Sequence, residues 1–378
     1  MNIPFGKPII GDKEISEVCK TLKSSILVHG KKTKAFEDLF NDFTGSKYGA
    51  SVSSCTTGMH LVYKFLGIGY GDEVLVTSQS HVATAHCIEY VGAKPIFIDC
   101  ELQTGNINLK EIEEKITKKT KAIAIVHFAG IPVDMKLLNK ISKKFKLKVI
   151  EDCALALGSK VGNKHVGLIG DAGVFSFYPI KHITTIEGGM VISKNKKLIK
   201  YVKKNRAFGY EKNLRDKNSL YDVDSLGFNY RMNEVDATIG ICQLKKIKRF
   251  LSIRQRNFNL FSKMISSEEN IDYLSNQDAN STNSFYCFIV ILKNSLRGKR
   301  LVITDKLREK RIGTSVYYPG PIPMLKFYKQ KYSLKSKDYK NAIEISNNSI
   351  AFPVGPHIGK KEIIYITENL KSIIKELL

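Results

Sequence analysis

The sequence has no long apolar segment and no closely spaced pair of cysteines. Its longest apolar stretches, such as residues 122–126, have the length of a strand and fall far short of the roughly 20 apolar residues of a membrane span. The seven cysteines are odd in number, widely spaced and without a Cys-x-x-Cys pair. These absences argue against a membrane-spanning protein, a disulfide framework and a zinc site.

The amino terminus also lacks the features of a secretion signal. Acidic residues and prolines stand in the first 18 residues, where a signal peptide needs a basic flank and an apolar run. We therefore expect a cytoplasmic protein with reduced thiols.

Acidic residues are scarce relative to basic ones. The 36 Asp and Glu against 60 Lys and Arg give a formal net charge of +24. Such a charge attracts nucleic acids, anionic membranes or phosphorylated substrates. The lysines are spread over segments such as 194–197 and 245–249 and form no single basic arm. Solvated helix faces in a lysine-rich chain therefore explain the charge better than a nucleic-acid site does, although a polyanionic substrate would still benefit.

The first half of the chain alternates helical and strand patterns. Helices are predicted at 13–22, 32–43, 58–66 and 84–90, and strands at 51–54, 73–77, 94–99, 122–127, 148–151 and 173–177. This alternation predicts an α/β fold with a mostly parallel sheet between two helix layers.

After residue 245 the pattern changes to that of a smaller α+β region. The expected elements are a helix at 243–265, a polar linker at 275–284, a strand at 285–292, a helix at 304–310, a strand at 314–318 and a helix from 360. A chain of 378 residues favours two domains. We expect a large domain over residues 1–248 and a small C-terminal domain over residues 249–378.

Polar clusters follow several predicted strands, where ligands bind in sheets of this kind. Lys181 lies in a loop among uncharged residues, and desolvation there would make its amine nucleophilic. Taken by itself, however, any one lysine of this lysine-rich chain is far more often a surface residue, so the other motifs must decide. Asp152 could hold the pyridine nitrogen of pyridoxal phosphate or cap a helix at 153–157. The segment 51–61 could bind a phosphate at a helix N-terminus or be a cap without a ligand.

The order of these motifs resembles the DegT/DnrJ/EryC1/StrS family of sugar aminotransferases, which are pyridoxal-phosphate enzymes of fold type I. The resemblance covers nearly the whole chain. It is carried by Pro4-Phe-Gly-Lys-Pro, Ser176-Phe-Tyr-Pro-Ile-Lys-His-Ile-Thr-Thr-Ile-Glu-Gly-Gly, Asn229-Tyr-Arg-Met and Tyr317-Tyr-Pro-Gly-Pro.

The resemblance implies a role for each matching residue. Lys181 would form the Schiff base with pyridoxal 5'-phosphate and later move a proton, and Asp152 would hold the pyridine nitrogen. The remaining cofactor-binding residues would be Thr56, Thr57 and Ser176 at the phosphate, His81 against the ring, and Asn229 from the neighbouring subunit of a homodimer. Arg231 and Tyr317 would contact the substrate.

Two residues depart from the pattern of the family. Leu155 stands near the expected phenolic oxygen of the cofactor, where many relatives have Gln, His or Glu, and it cannot form the hydrogen bond. Ile186 stands where many relatives have Gly. No metal is expected, because His60, His86 and His127 have no second ligand at metal spacing.

The resemblance implies amino transfer from L-glutamate or L-glutamine to a keto group of a nucleotide-linked deoxysugar for surface polysaccharides. A small phosphorylated ketone in capsule biosynthesis is the alternative acceptor. A pyridoxal-dependent sugar dehydratase would lack the lysine that is present at Lys181. A non-catalytic regulatory or nucleic-acid-binding protein on the same scaffold is motivated only by the net charge.

Overall fold

The computed structural model describes residues 1–210, 222–276 and 278–378. The strands of the first half of the chain are β1 (Tyr48–Val52), β2 (Glu73–Thr77), β3 (Lys94–Ile98), β4 (Thr120–Val126), β5 (Lys148–Asp152), β6 (Lys160–Val161), β7 (Lys164–His165), β8 (Ala172–Ser176) and β9 (Gly189–Ser193). All but β6 and β7 form one seven-stranded sheet in the order β1-β9-β8-β5-β4-β2-β3.

This sheet is mostly parallel, as predicted. Strands β3, β2, β4, β5 and β8 pair in parallel, and β9 runs antiparallel to both of its neighbours, β8 and β1. Parallel neighbours need long crossover connections, which are usually helices that cover the sheet. The carboxyl ends of β1, β2, β4, β5 and β8 therefore lie at one edge of the sheet.

Helices cover both faces of the sheet. They are α1 (Asp12–Leu22), α2 (Lys31–Thr44), α3 (Cys55–Phe65), α4 (Val82–Tyr90), α5 (Ile112–Lys115), α6 (Met135–Phe145), α7 (Lys196–Asn205) and α8 (Glu234–Leu244). Successive strand residues point to opposite faces. In β2, Val74 and Val76 pack with apolar residues of α3 and α4, whereas Leu75 packs with those of α6. Burial on both faces explains the continuous apolar run of this strand.

The C-terminal region contains a second, antiparallel sheet. The helices of the C-terminal region are α9 (Ile247–Ile265), α10 (Arg300–Glu309), α11 (Lys326–Tyr332), α12 (Lys340–Asn348) and α13 (Lys360–Leu377). The strands of this region are β10 (Ile271–Tyr273), β11 (Ser281–Thr282), β12 (Phe288–Leu292) and β13 (Ser349–Phe352). Strands β10, β12 and β13 form the sheet, and their apolar residues pack with those of α9, α10 and α13. The domain boundary at residue 248 stays a prediction.

Four predicted elements differ from the structure, and the first is the strand predicted at 51–54, which is Tyr48–Val52. The helix at 243–265 is two helices with a break at Lys245 and Lys246, because Gln243 and Lys246 both bond to Glu14 of α1. The strand expected from residue 285 begins at Phe288, since Phe285 has a φ of +54°. Residues 314–318 form no strand beyond a bridge between Ser315 and Ala351. No helix in the described ranges is long and apolar enough to cross a membrane.

Candidate active site

A cavity of about 400 Å³ lies at the carboxyl ends of the central strands. Its wall includes Val126, Asp152 and Ser176 at the ends of β4, β5 and β8, together with the first residues of α3 and α4 and several tyrosines. Because the strands are parallel, these side chains meet at one edge although they are distant in sequence. The volume is that of a small-molecule site.

Lys181 lies in the loop between β8 and β9 and lines this cavity. Its Nζ is 5.4 Å from the centroid of the Tyr286 ring. Burial lowers the pKa of the Lys181 amine, although the nearby Asp152 carboxylate opposes the shift. A lowered pKa leaves more of the amine neutral, which is the form that attacks a carbonyl carbon.

Asp152 is the last residue of β5 and is only 5% exposed. Thr84 Oγ1 donates a hydrogen bond of 2.9 Å to Oδ2, and the Ala154 N–H donates one of 3.0 Å to Oδ1. No helix follows at residues 153–157, so the alternative of a helix cap is wrong. The carboxylate is instead held in the cavity wall, where it can pair with a protonated ring nitrogen.

The first turn of α3 forms another part of the wall. Ser54 accepts a hydrogen bond of 3.1 Å from the Thr57 N–H, and Thr57 Oγ1 accepts one of 3.1 Å from the Ser54 N–H. A helix leaves its first N–H groups without partners inside the helix, so those of Cys55 and Thr56 remain for an anion such as a phosphate. A Cβ on Gly189 would lie 2.5 Å from the Ser54 carbonyl carbon, so this close approach of β9 requires glycine.

The structure brings six of the nine predicted site residues together. The cavity wall contains Thr56, His81, Asp152, Ser176, Lys181 and Tyr317. The Thr57 hydroxyl takes part in the cap and not in this wall. Asn229 is exposed outside the cavity, and the guanidinium of Arg231 lies 4.8 Å from the ring centroid of Phe208. The assigned roles stay predictions.

Sequence reasoning missed one residue behind the cavity wall, Thr84, and one in the wall, Tyr286. Thr84 bonds to Asp152 and also lies 2.8 Å from the Ser80 hydroxyl, Oγ1 to Oγ. Its spacing of four residues from Ser80 at a helix start was the available signal. Tyr286 comes from the C-terminal region, and nothing local in the sequence places it beside Lys181.

One of the two departures from the family pattern, Leu155, lies in the cavity wall. Leu155 is 2% exposed and lines the cavity, so no hydrogen bond from its side chain is available there. Ile186 has a φ of +73° and is 56% exposed. Left-handed backbone is strained for a β-branched residue, which explains why glycine suits this position.

The histidines have structural partners. His60 Nδ1 lies 3.2 Å from the Tyr230 hydroxyl, and His86 Nδ1 lies 2.7 Å from that of Tyr328. His127 shares a buried cluster with Glu151 and Cys153 at a spacing that could hold a metal ion. However, His127 Nε2 lies 2.9 Å from Glu151 Oε2, and Nδ1 accepts the Val133 N–H, so its nitrogens are used within the protein.

Comparisons with known proteins agree with this geometry. The model of the DegT/DnrJ/EryC1/StrS aminotransferase family matches residues 8–371. The chain is 33% identical to GDP-perosamine synthase of Escherichia coli O157:H7 over 378 residues, 99% of either chain. It matches the structure of PseC from Helicobacter pylori, an aminotransferase involved in the biosynthesis of pseudoaminic acid, with a TM-score of 0.94 at 27% identity over 100% of both chains. The match to the putative sugar aminotransferase Spr1654 of Streptococcus pneumoniae in its PLP form has a TM-score of 0.93, also at 27% identity over 100% of both chains.

The fold, the cavity and these matches define a pyridoxal-phosphate-dependent transaminase of fold type I. The amine of Lys181, the carboxylate of Asp152 and the helix N-terminus of α3 fit the aldehyde, ring nitrogen and phosphate of that cofactor. The chain belongs to the DegT/DnrJ/EryC1/StrS aminotransferase family, as its motifs predicted.

Proposed function

We propose that this transaminase transfers an amino group from L-glutamate, or L-glutamine, to a keto group of a nucleotide-linked deoxysugar used for surface polysaccharides. The observation that carries the chemistry is the presence of the Lys181 amine and the Asp152 carboxylate in one cavity. The names of GDP-perosamine synthase and PseC support a sugar acceptor. The net charge of +24 favours an anionic one.

The proton transfers are assigned to Lys181. The cofactor supplies an electron sink that weakens bonds to the substrate carbon carrying the nitrogen. Lys181 Nζ takes the proton from that carbon, and its lowered pKa favours the neutral amine that can accept it. Asp152 keeps the ring nitrogen protonated, and its bonds from Thr84 and Ala154 hold it in place.

Binding at the other end of the cofactor is assigned to the α3 N-terminus. The hydroxyls of Thr56 and Ser176, which line the cavity, would hold the phosphate, and Thr57 would support them through its cap with Ser54. His81 would lie against the cofactor ring, and its own ring makes an edge contact with Tyr318 at 5.8 Å.

The enzyme is proposed to be a homodimer with shared active sites. Asn229 and Arg231 lie outside the cavity of their own chain, near exposed apolar side chains such as Phe208 and Leu226, the latter 74% exposed. We infer that the contact between the subunits includes these exposed apolar side chains. In the dimer, Asn229 would complete the phosphate site of the partner.

Mixed dimers test the shared site directly. A hybrid of Lys181→Ala and Asn229→Ala subunits has one site with both defects and one with neither. Two inactive preparations should therefore regain activity when dissociated and reassembled together. Absence of any recovery, with hybrids shown by mass spectrometry, would refute the shared site.

The covalent role of Lys181 has its own test. Protein saturated with pyridoxal phosphate is reduced with borohydride and digested, and the peptide containing Lys181 should carry the cofactor mass. Lys194→Ala, a change at an exposed lysine just after β9, should keep the label, whereas Lys181→Ala should lose it together with the visible absorbance. An unlabelled Lys181 peptide would remove the basis of the proposal.

A panel of acceptors distinguishes the two substrate classes. Keto forms of nucleotide-linked deoxysugars and small phosphorylated ketones are incubated with glutamate or glutamine, and amine formation is scored by mass spectrometry. We expect product with the nucleotide sugars. Product with the phosphorylated ketones alone would establish the alternative acceptor.

A further inference from the structure

Tyr286 lies where two cavities meet. A small crevice of about 20 Å³ shares Ile180, Lys181 and Tyr286 with the main cavity. The crevice is otherwise lined by Lys7 and Arg254, among others, and within the described ranges no carboxylate lines it. The Lys181 side chain therefore borders one space containing the carboxylate of Asp152 and another containing two cations.

The position of the Tyr286 side chain is set by several contacts. The residue is 4% exposed, and Arg254 Nη1 donates a hydrogen bond of 2.7 Å to its backbone oxygen. The hydroxyls of Tyr286 and Tyr317 are 2.9 Å apart, and their rings meet edge to face with centroids 5.5 Å apart. His182 packs at 5.6 Å from the ring. Such a ring is a rigid surface next to a flexible lysine.

The face of an aromatic ring attracts a cation within about 6 Å of its centroid. Lys181 Nζ meets this condition at 5.4 Å from Tyr286. We propose that Tyr286 is a positioning residue for Lys181, whose ring face attracts the protonated amine and thereby limits the positions that the flexible lysine side chain takes up. This inference rests on the proposed role of Lys181 and adds the group that orients it.

The negative charge near Lys181 attracts its ammonium group, as the face of the Tyr286 ring does. Asp152 attracts the ammonium group, and Cys55 and Cys287 are its other anion-capable neighbours. His81 and His182 are the titratable cations that face it, and burial lowers the pKa of both. Arg254 and Lys7 line only the crevice, and the Arg254 guanidinium lies 6.0 Å from the centroid of the same Tyr286 ring.

The test measures the pKa of Lys181 in the cofactor-free protein. Trace acetylation at a series of pH values, followed by peptide mass spectrometry, reports the reactivity of Lys181, with the exposed Lys140 as internal reference. Tyr286→Leu keeps an apolar side chain but removes the ring face, so the ammonium form is destabilised. We expect the pKa of Lys181 to fall by roughly 0.4 to 1.5 units, the size of common cation–π interactions. Tyr286→Phe keeps the ring and should preserve the parental value.

Two outcomes would overturn the inference. One is a Lys181 pKa in Tyr286→Leu that is unchanged or raised, and the other is an equal shift in Tyr286→Phe. If the leucine variant fails to fold, Tyr286→Met provides the same comparison. Since the cofactor is absent, the result is independent of the borohydride experiment. A labelled Lys181 peptide together with an unchanged pKa would reject the role of Tyr286 and leave the proposed function intact.

Discussion

Glu151 and Asp152 are adjacent carboxylates at the end of β5 with opposite environments. Glu151 is fully buried and accepts hydrogen bonds from the N–H groups of Gly167, Ile169 and Gly170, and it lies 2.9 Å from His127 Nε2. Asp152 points to the other face of the sheet, accepts bonds from Thr84 and Ala154, and borders the cavity. A one-residue step along a strand reverses the side-chain direction, so it also separates these two roles.

The comparison shows that a structural carboxylate has all its oxygens occupied by hydrogen-bond donors of the protein, whereas a functional one keeps room for a further donor. Burial raises the pKa of Glu151, but the bond from His127 and the backbone N–H groups outweigh it and leave this pKa lowered. Protein donors surround both oxygens of Glu151, whereas Asp152 keeps access to the cavity and can accept a further donor from a ligand.

The largest expected effect is on stability at Glu151. The change Glu151→Ala removes the carboxylate, which leaves His127 and the buried N–H groups without their hydrogen-bond acceptor. We expect a loss of about 3–5 kcal/mol in the free energy of unfolding, measured by urea denaturation of the cofactor-free protein. Glu113→Ala, which removes an exposed ion pair with Lys144, is the control and should cost at most about 1 kcal/mol. Equal losses in the two variants would contradict the structural role.

The change Asp152→Asn should give the opposite result. The amide keeps the size of the side chain but no longer supplies a negative charge to the ring nitrogen. We expect turnover to fall by about 10²-fold or more, which is the usual effect of removing one such electrostatic contact. The urea midpoint should change little, since one bond acceptor remains for the backbone. Unchanged turnover would show that Asp152 does not hold the cofactor ring.

The comparison of carboxylates extends to a third one, Asp236, whose contribution to stability is expected to depend on pH. Burial is the main cause that raises the pKa of Asp236 from 3.8 to about 6, against the bond from Asn233 and with help from the nearby Glu187. Because the folded value is raised, its contribution to stability is present below pH of about 4 and is lost as the pH rises through about 6. Asp236→Asn should therefore be more stable than the parent at pH 7 by about 1–2 kcal/mol, after allowance for partial exposure.

The pH dependence at Glu151 has the opposite sign. Its lowered pKa gives a contribution that is present above the unfolded value of about 4.3 and is lost as the pH falls through the folded one. Urea titrations between pH 4 and 7 should thus show the advantage of Asp236→Asn growing with pH, whereas the penalty of Glu151→Ala should stay constant above about pH 5 and shrink as the pH falls below about 4. An Asp236→Asn difference that does not change between pH 4 and 7, or a Glu151→Ala penalty that changes between pH 5 and 7, would contradict the assigned environment.

The smallest expected effect concerns backbone strain at the exposed Ile186. In Ile186→Gly the left-handed conformation loses its steric cost of about 1–2 kcal/mol, partly offset by the chain entropy of glycine at about 0.5–1 kcal/mol. A net gain of about 1 kcal/mol in unfolding free energy is expected. Lys146→Gly, at φ +55° after α6, should gain less because lysine is not β-branched. A loss of stability in Ile186→Gly would mean that the exposed side chain packs on a neighbour.

Much of the fold followed from local patterns. The strand at 73–77 was predicted with its observed ends. A short apolar run between polar turns is typical of a strand that is buried on both faces of a sheet. The break between α8 and α9 was not predictable, since Glu14 of α1 draws Gln243 and Lys246 from far away in sequence. The same limit applies to the Tyr286 ring beside Lys181.

The alternation of strands and helices along the chain indicated the class of fold, because each element depends on neighbours within a few positions. The resemblance of the motifs to the DegT/DnrJ/EryC1/StrS family implied the cofactor and the candidate residues Lys181 and Asp152. The tertiary structure decided which carboxylate of the Glu151–Asp152 pair has its oxygens occupied by hydrogen-bond donors of the protein. It also decided which hydroxyls and which tyrosines line the cavity. Those properties depend on the direction of side chains and on contacts between distant segments, and both are set only when the sheet and the C-terminal region pack together.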